Sequence, residues 1–446
     1  MQAKVKFSVK IVVLLVILTE HALAFMMPTI LAYMIHGLLS KNTDSEISDS
    51  DISYYTGVIE GSNRFMAFIG CLIWGTISDN IGRKYSLLIV LCGICATSFG
   101  FSLAQSFEAA VAWRMFSGVF AGVIPIMKAM LRDISDDSNI AVLYSYFGTG
   151  YGLASIVGPI IGGVFSHPYR HLAIFDTPFF HDFPYFLALF THSIFCIIAF
   201  LLILYFVPYK APEQSNTQDK KSLFTNKNYL TSLFIFGFIA IVQFAYRILM
   251  TLWVKTDRNH SGLGWETEEK VGFMNSLSGI IVTIFPLIFT PILSNSLGVI
   301  KSLILLLCSM IPIVIGISWT SELDGIPLWG LLVILNGLSI GITTVLVGFI
   351  SIAVSNSVPS NITGAAMGFA QSSTALFRAF ATTSTAWLYG ASRQWTFGFP
   401  FDVHFAFMCI ALACLIDIAT IKFALDPAVE KRKQSDKEIP LIEKKV

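Results

Sequence analysis

Charge is scarce in this chain. Only 13% of its 446 residues are Asp, Glu, Lys or Arg, against 55% of hydrophobic types. That is about half the charge of a soluble protein. So few charges cannot cover a water-facing surface, which excludes an ordinary soluble domain. The net charge of +1 offers no basic face, and no nucleic-acid partner is expected. Metal-binding and disulfide patterns are missing too. Seven cysteines (71, 92, 95, 196, 308, 409 and 414) all lie in apolar runs, where they read as buried free thiols. The C-x-x-C pair Cys92–Cys95 has no matching second pair. There is no P-loop, no nucleotide fold and no catalytic cluster at one interface. Neither an enzyme nor a cofactor is therefore expected, and an ion gradient is the expected energy source.

What the chain has is long apolar runs and a mean hydropathy of +0.71. They predict an all-α membrane protein with twelve spans at 9–38, 54–76, 85–105, 108–131, 139–166, 184–208, 229–255, 270–294, 301–319, 327–354, 362–390 and 403–425. The basic start resembles a signal peptide, but its apolar run continues past Glu20 to about Ile35. It is read as a retained first span. Twelve spans put both termini on one side. With that side cytoplasmic, Lys and Arg number seventeen inside against six outside; the loops alone give eight against six. The polar segment after Val207 is expected to be a linker. The domains are then 1–208 and 229–425, two six-helix halves, joined by a cytoplasmic linker at 209–228 and followed by a disordered cytoplasmic tail at 426–446.

The chain is organised around Gly75–Lys84, GTISDNIGRK, between spans 2 and 3. Gly75 and Gly82 permit close helix approach and a left-handed backbone. Asp79 can face a helix N-terminus, and Arg83 and Lys84 hold the turn on the cytoplasmic side. The stretch resembles the G-x-x-x-D-x-x-G-R-[RK] loop of the major facilitator superfamily at every specified position. Pro291, Asn295 and Gly298 repeat the spacing of Gly75, Asp79 and Gly82 between spans 8 and 9. Internal repeats of this kind build many transporters, with the solute path between the copies.

Span 4 carries Arg114-x-x-x-Gly118-x-x-x-Gly122, which resembles the superfamily's arginine motif, linked there to proton coupling. A structural arginine bonded to carbonyls is the alternative. Span 5 carries Gly158-Pro159-Ile-Ile-Gly162-Gly163, similar to the antiporter motif of drug:proton exporters, or else a glycine packing face. Glu20 with Pro28, Gly57–Glu60, Phe183–Phe186, Gly368–Gln371 and Phe377–Ala379 add a resemblance to the zinc-induced-facilitator-like group. The chain departs from that group at Val123, in the loop 355–364 and at 381–386.

Glu20, Glu60, Arg64 and Arg114 are the candidates for proton coupling. Glu60 and Arg64 share one face of span 2. A carboxylate beside an arginine stays ionised, and separating them loads a proton; a fixed salt-bridge network is the alternative. Arg247, Gln371, Arg378 and Asp417 are the substrate-binding candidates. Arg247 and Arg378 look under-neutralised, with only Asp417 expected at their depth, so an anionic or zwitterionic solute is one expectation. The outer-loop cluster His167, His171, His181 and Asp182 could bind zinc, but its irregular spacing in a loop argues against it, and no metal is expected. Asn259-His-Ser261 is a glycosylation sequon.

The expected protein is a monomeric secondary transporter in a plasma, vacuolar or vesicular membrane. It moves a small organic solute, a drug or an organic anion, in exchange for protons by alternating access. A uniporter, a symporter and a non-transporting receptor or scaffold remain the alternatives.

Overall fold

The computed structural model describes residues 7–41, 47–134, 140–209, 225–358, 363–395 and 398–430. Its helices are α1 (Phe7–Ser40), α2 (Asp49–Ile81), α3 (Arg83–Ser102), α4 (Phe107–Val119), α5 (Val123–Ile134), α6 (Ile140–Val164) and the short α7 (Pro178–Asp182). They continue as α8 (Phe186–Phe206), α9 (Lys227–Trp253), α10 (Glu268–Ser296), α11 (Gly298–Ser318), α12 (Gly325–Asn356), α13 (Thr363–Ser392) and α14 (His404–Ala424). There is no strand among the described residues. Among the described residues, ten segments are long and apolar enough to cross a membrane, α4 and α5 together counting as one. The polar helices α2 and α13 complete the twelve. In hydrocarbon every backbone amide must be satisfied within its own helix, which is why apolar runs of this length become helices.

Local chemistry sets the helix ends. Ser48 caps α2 in a reciprocal capping box with Asp51, Ser106 caps α4, and Asn226 caps α9. The fourth span is broken, unlike its expected form. The chain turns at Phe120–Gly122, and a Cβ at Gly122 would lie 2.7 Å from that of Trp74. The turn between α2 and α3 is a single residue, Gly82, at φ 91°. Gly298, which opens α11 directly after α10, has φ 75°, the same positive-φ device at the repeated position.

Most of the expected linker, residues 210–224, lies outside the described residues. So does most of the expected tail, residues 431–446. The start of that tail departs from the expectation: Pro427–Glu430 form a turn, and the Asn356 amide donates to the Val429 carbonyl at 2.9 Å. The cysteines depart as well. All seven are free, but Cys92 and Cys308 are exposed on the apolar surface and only Cys196 and Cys414 are buried.

Helices α1–α8 and α9–α14 pack mostly within their own sets. They meet along two seams, α2 against α13 and α6 against α10. The seams are tight at the end away from the N-terminus, called the far end below. There the Ser50 hydroxyl donates to the Gly390 carbonyl at 2.8 Å, and Arg393 pairs with Asp49 at 2.7 Å. Tyr33 donates to the Trp265 carbonyl at 2.7 Å. At the opposite, terminal end the seams part. Cβ atoms built at Gly75 of α2, Gly148 of α6 and Gly368 of α13 would meet nothing within 4 Å. The close approach expected at Gly75 is therefore not made in this conformation.

Candidate functional site

Three helices, α1, α2 and α4, bring the expected coupling residues together. Glu60 of α2 receives Arg114 of α4 at 2.5 Å through one oxygen and Arg64, one turn on, at 3.4 Å through the other. Glu60 and Arg114 are 6% and 4% exposed, so the pair is desolvated. The Asn63 amide donates to the Arg114 carbonyl at 2.7 Å and ties α4 to α2. A Cβ at Gly118 would clash with the Asn63 carbonyl, so the glycine lets Arg114 come this close. Glu20 of α1 lies one turn before Ala24, which lines a cavity of about 360 Å³ with Glu60 and Arg64. Arg64 is its charged neighbour, and no hydrogen-bond partner for the Glu20 carboxylate lies among the described residues.

The substrate candidates separate. The Arg247 guanidinium lies 4.7 Å from the Phe25 ring centre and 5.6 Å from that of Phe244, and it donates to the Tyr151 hydroxyl at 3.1 Å. Arg64 and Arg378 approach the same Phe244 ring at 4.9 and 5.1 Å. Three guanidinium groups thus share one phenylalanine, and the Nε atoms of all three are buried without a partner. Arg247 also lines a larger cavity of about 500 Å³ with Phe25, Met274, Asn275 and Asn336. Gln371 lies two turns from Arg378 towards the terminal end and lines neither cavity.

Asp417 is not at the arginines. It sits in α14, which packs on α9 and α11, and both of its carboxylate oxygens are buried without a partner. Burial against the neighbouring helices, which periodicity does not resolve, turns it away from the cavity.

The switch stretch sits at the terminal end. Arg83 bonds Asp79 at 2.5 Å and Ser78 at 2.7 Å, and Lys84 donates to the Leu204 carbonyl at 2.8 Å. Asp79 is thus held by the first residue of α3. The antiporter-type motif packs α6 on α1 through Gly158 and Gly162 and on α10, at the seam, through Pro159 and Gly163. A Cβ at Gly158 would lie 2.5 Å from the Ala22 carbonyl of α1, and one at Gly162 would lie 2.9 Å from Met26. Gly163 meets α10: a Cβ on Gly272 there would lie 2.5 Å from the Pro159 carbonyl and 2.9 Å from the Gly163 Cα. The outer histidines pair separately, His167 with Glu268 at 3.5 Å, His171 with Glu269 at 3.2 Å and His181 with Asp176 at 2.8 Å.

The sequence reading missed Phe244, whose only signal is its place one turn before Arg247. It also missed Asn336, which accepts from Tyr246 at 3.0 Å and donates to Asn275 at 3.1 Å. His192 was a third omission; it is buried between Ser98 and the Thr19 carbonyl. A polar residue inside a span was the available signal for the last two.

Twelve spanning helices around a central cavity, with ionised pairs at membrane depth, define a solute carrier. The chain belongs to the major facilitator superfamily: the sequence profile described as Major Facilitator Superfamily matches residues 11–382. It is therefore an integral, multi-pass membrane transporter of small solutes and not an enzyme. It is similar to the protein ZINC INDUCED FACILITATOR 1 of Arabidopsis thaliana, 24% identical over 83% of each chain. ZINC INDUCED FACILITATOR-LIKE 1 of the same plant is 25% identical over 78% of this chain and 77% of its own. In fold it resembles the crystal structure of a D-xylose-proton symporter, with a TM-score of 0.74 at 14% identity over 95% of this chain and 99% of that one.

Proposed function

We propose that the protein exports a small organic solute, or loads it into an organelle, in exchange for protons. The units are two six-helix halves, 1–208 and 229–425, working as a monomer by alternating access. With both termini cytoplasmic, the parted terminal end is the cytoplasmic mouth and the conformation is inward-facing. The observation that carries the reading is Glu60 shared between Arg114 and Arg64 beside a cavity where the two helix sets meet. Relative movement of the arginines would change which carboxylate, Glu60 or Glu20, holds a proton. Gly75, Asp79, Gly82, Arg83 and Lys84 act in switching at the cytoplasmic surface. Gly158 and Gly162 hold α6 close to α1, and Pro159 and Gly163 give the close α6–α10 seam along which the far end shuts. The membrane is the plasma membrane or that of a vacuole or vesicle.

Reconstituted vesicles test this directly. Solute movement should be driven by an imposed pH gradient, with protons moving the opposite way. Flux indifferent to the gradient would mean a uniporter, and protons moving with the solute a symporter.

A further inference from the structure

Around Phe244, beside the cavity that Arg64 and Arg247 line, there is more positive charge than the nearby acids neutralise. Arg64, Arg247 and Arg378 gather on Phe244, two from the second helix set and one from the first. An aromatic ring has two negative faces and a positive edge, so it cannot serve three cations equally. Glu60 is committed to Arg114 at 2.5 Å and reaches Arg64 only at 3.4 Å. Arg378 has no hydrogen-bond acceptor among the described residues, and its Nε is buried. A guanidinium at this depth calls for an anion.

An anion alone conflicts with antiport. Binding it beside Glu20 would favour the protonated acid, and by reciprocity the proton would favour the anion. Solute and proton would then travel together. A cationic group seated on Glu20 has the opposite effect, because it competes with the proton for the same carboxylate.

We infer that the solute is zwitterionic, its carboxylate or similar anionic head held among Arg64, Arg247 and Arg378 and its ammonium at Glu20. This rests on the antiport reading above. The apolar body then enters the adjoining cavity of about 500 Å³, where Phe25 and Met274 supply apolar walls and Asn275 and Asn336 polar ones. The charge is arranged as the task needs: anion sites come from both helix sets, so the bound solute bridges them.

Other groups surround Glu20. His21 on α1 bonds the Ile17 carbonyl, and His192 on α8 bonds the Thr19 carbonyl. From α2 come Glu60, Arg64 and Cys71, and Cys196 comes from α8. Lys128 on α5 lies over Phe147, and Tyr151 on α6 is held by Arg247. Arg64 is the opposite charge acting on Glu20, and a solute ammonium would take over that role.

The test is a binding series on purified full-length protein. The probes are phenylalanine and leucine, free and as dipeptides, each compared with its amide (cation only), its N-acetyl form (anion only) and its N-acetyl amide (neutral). Zwitterions should bind tightest. Arg378→Gln should weaken the zwitterion and the N-acetyl anion roughly tenfold and should not weaken the amide. Glu20→Gln should weaken the zwitterion and the amide and should not weaken the N-acetyl anion, which loses a repulsive neighbour. If either variant fails to fold, the wild-type series decides by itself. An N-acetyl anion binding as well as its zwitterion, a preference for the amide, or no binding by any zwitterion of the panel overturns the inference. Proton release on binding, read with a pH dye, tests the antiport reading separately. A clear zwitterion preference without proton release would leave the two-headed site standing and remove antiport.

Discussion

Glu60 and Arg114 form a buried ion pair between α2 and α4, bonded at 2.5 Å. Glu20, on the neighbouring α1, has no hydrogen-bond partner among the described residues. The two acids therefore differ in what a glutamine substitution does. Glu60→Gln leaves the Arg114 charge buried and uncompensated and should cost about 3 kcal/mol of stability or more. Glu20→Gln should fold normally and lose pH-gradient-driven flux. Thermal unfolding and vesicle flux measure both. A fully coupled Glu20→Gln protein would remove Glu20 from the proton path.

The Asp79–Arg83 bond lies at the terminal end, away from the cavity. Asp79→Asn should slow turnover severalfold while the solute affinity stays within about twofold. Comparing binding with initial transport rate decides this. Lost affinity with a normal rate would make the stretch part of the solute site.

Gly272 and Gly148 make a matched pair. Gly272 faces the Pro159 carbonyl at the closed seam, and Gly148 faces open space. Gly272→Ala should hold α6 and α10 apart at the far end and reduce transport. Gly148→Ala should leave the present conformation unchanged, because its methyl meets nothing. Distances between spin labels on α6 and α10 would report the difference.

Acid on the far side should favour opening there. Burial lowers the His167 imidazole to about 4, with Arg170 acting the same way and Glu269 opposing; Glu268, 3.5 Å away and accepting from Tyr185, makes no hydrogen bond to it. An open far end exposes this histidine, which then titrates near 6.5. The closed form binds fewer protons, so this group's contribution to closure is complete above about 6.5 and is lost as pH falls through about 4. A cysteine at Ser53, buried in the far-end seam, should be labelled faster at pH 5 than at pH 7. His167→Gln should flatten that dependence.

Asp417 is expected to be dispensable for transport. Its buried oxygens make no hydrogen bond among the described residues, and it lines neither cavity. Asp417→Leu should leave flux unchanged and raise stability by about 1 kcal/mol or more. Loss of flux with intact folding would return this residue to the solute path.

The sequence by itself determined the membrane class, the twelve spans and the Gly82 turn. Apolar runs and left-handed glycines are local properties, and hydrocarbon leaves a backbone no alternative to the helix. Helical spacing likewise placed Glu60 and Arg64 on one face. Which charges meet was decided only by tertiary structure. Arg64 and Arg378 are far apart in the chain yet share the Phe244 ring because α2, α9 and α13 converge at the seam. Asp417 has a depth similar to that expected for the arginines but a different facing, since depth follows from counting along one helix and facing from its packing against the others. The conformation is also a tertiary property. The same glycines can pack or stand open, and the far end is closed because Arg393–Asp49, Tyr33–Trp265 and the α6–α10 contact are made together.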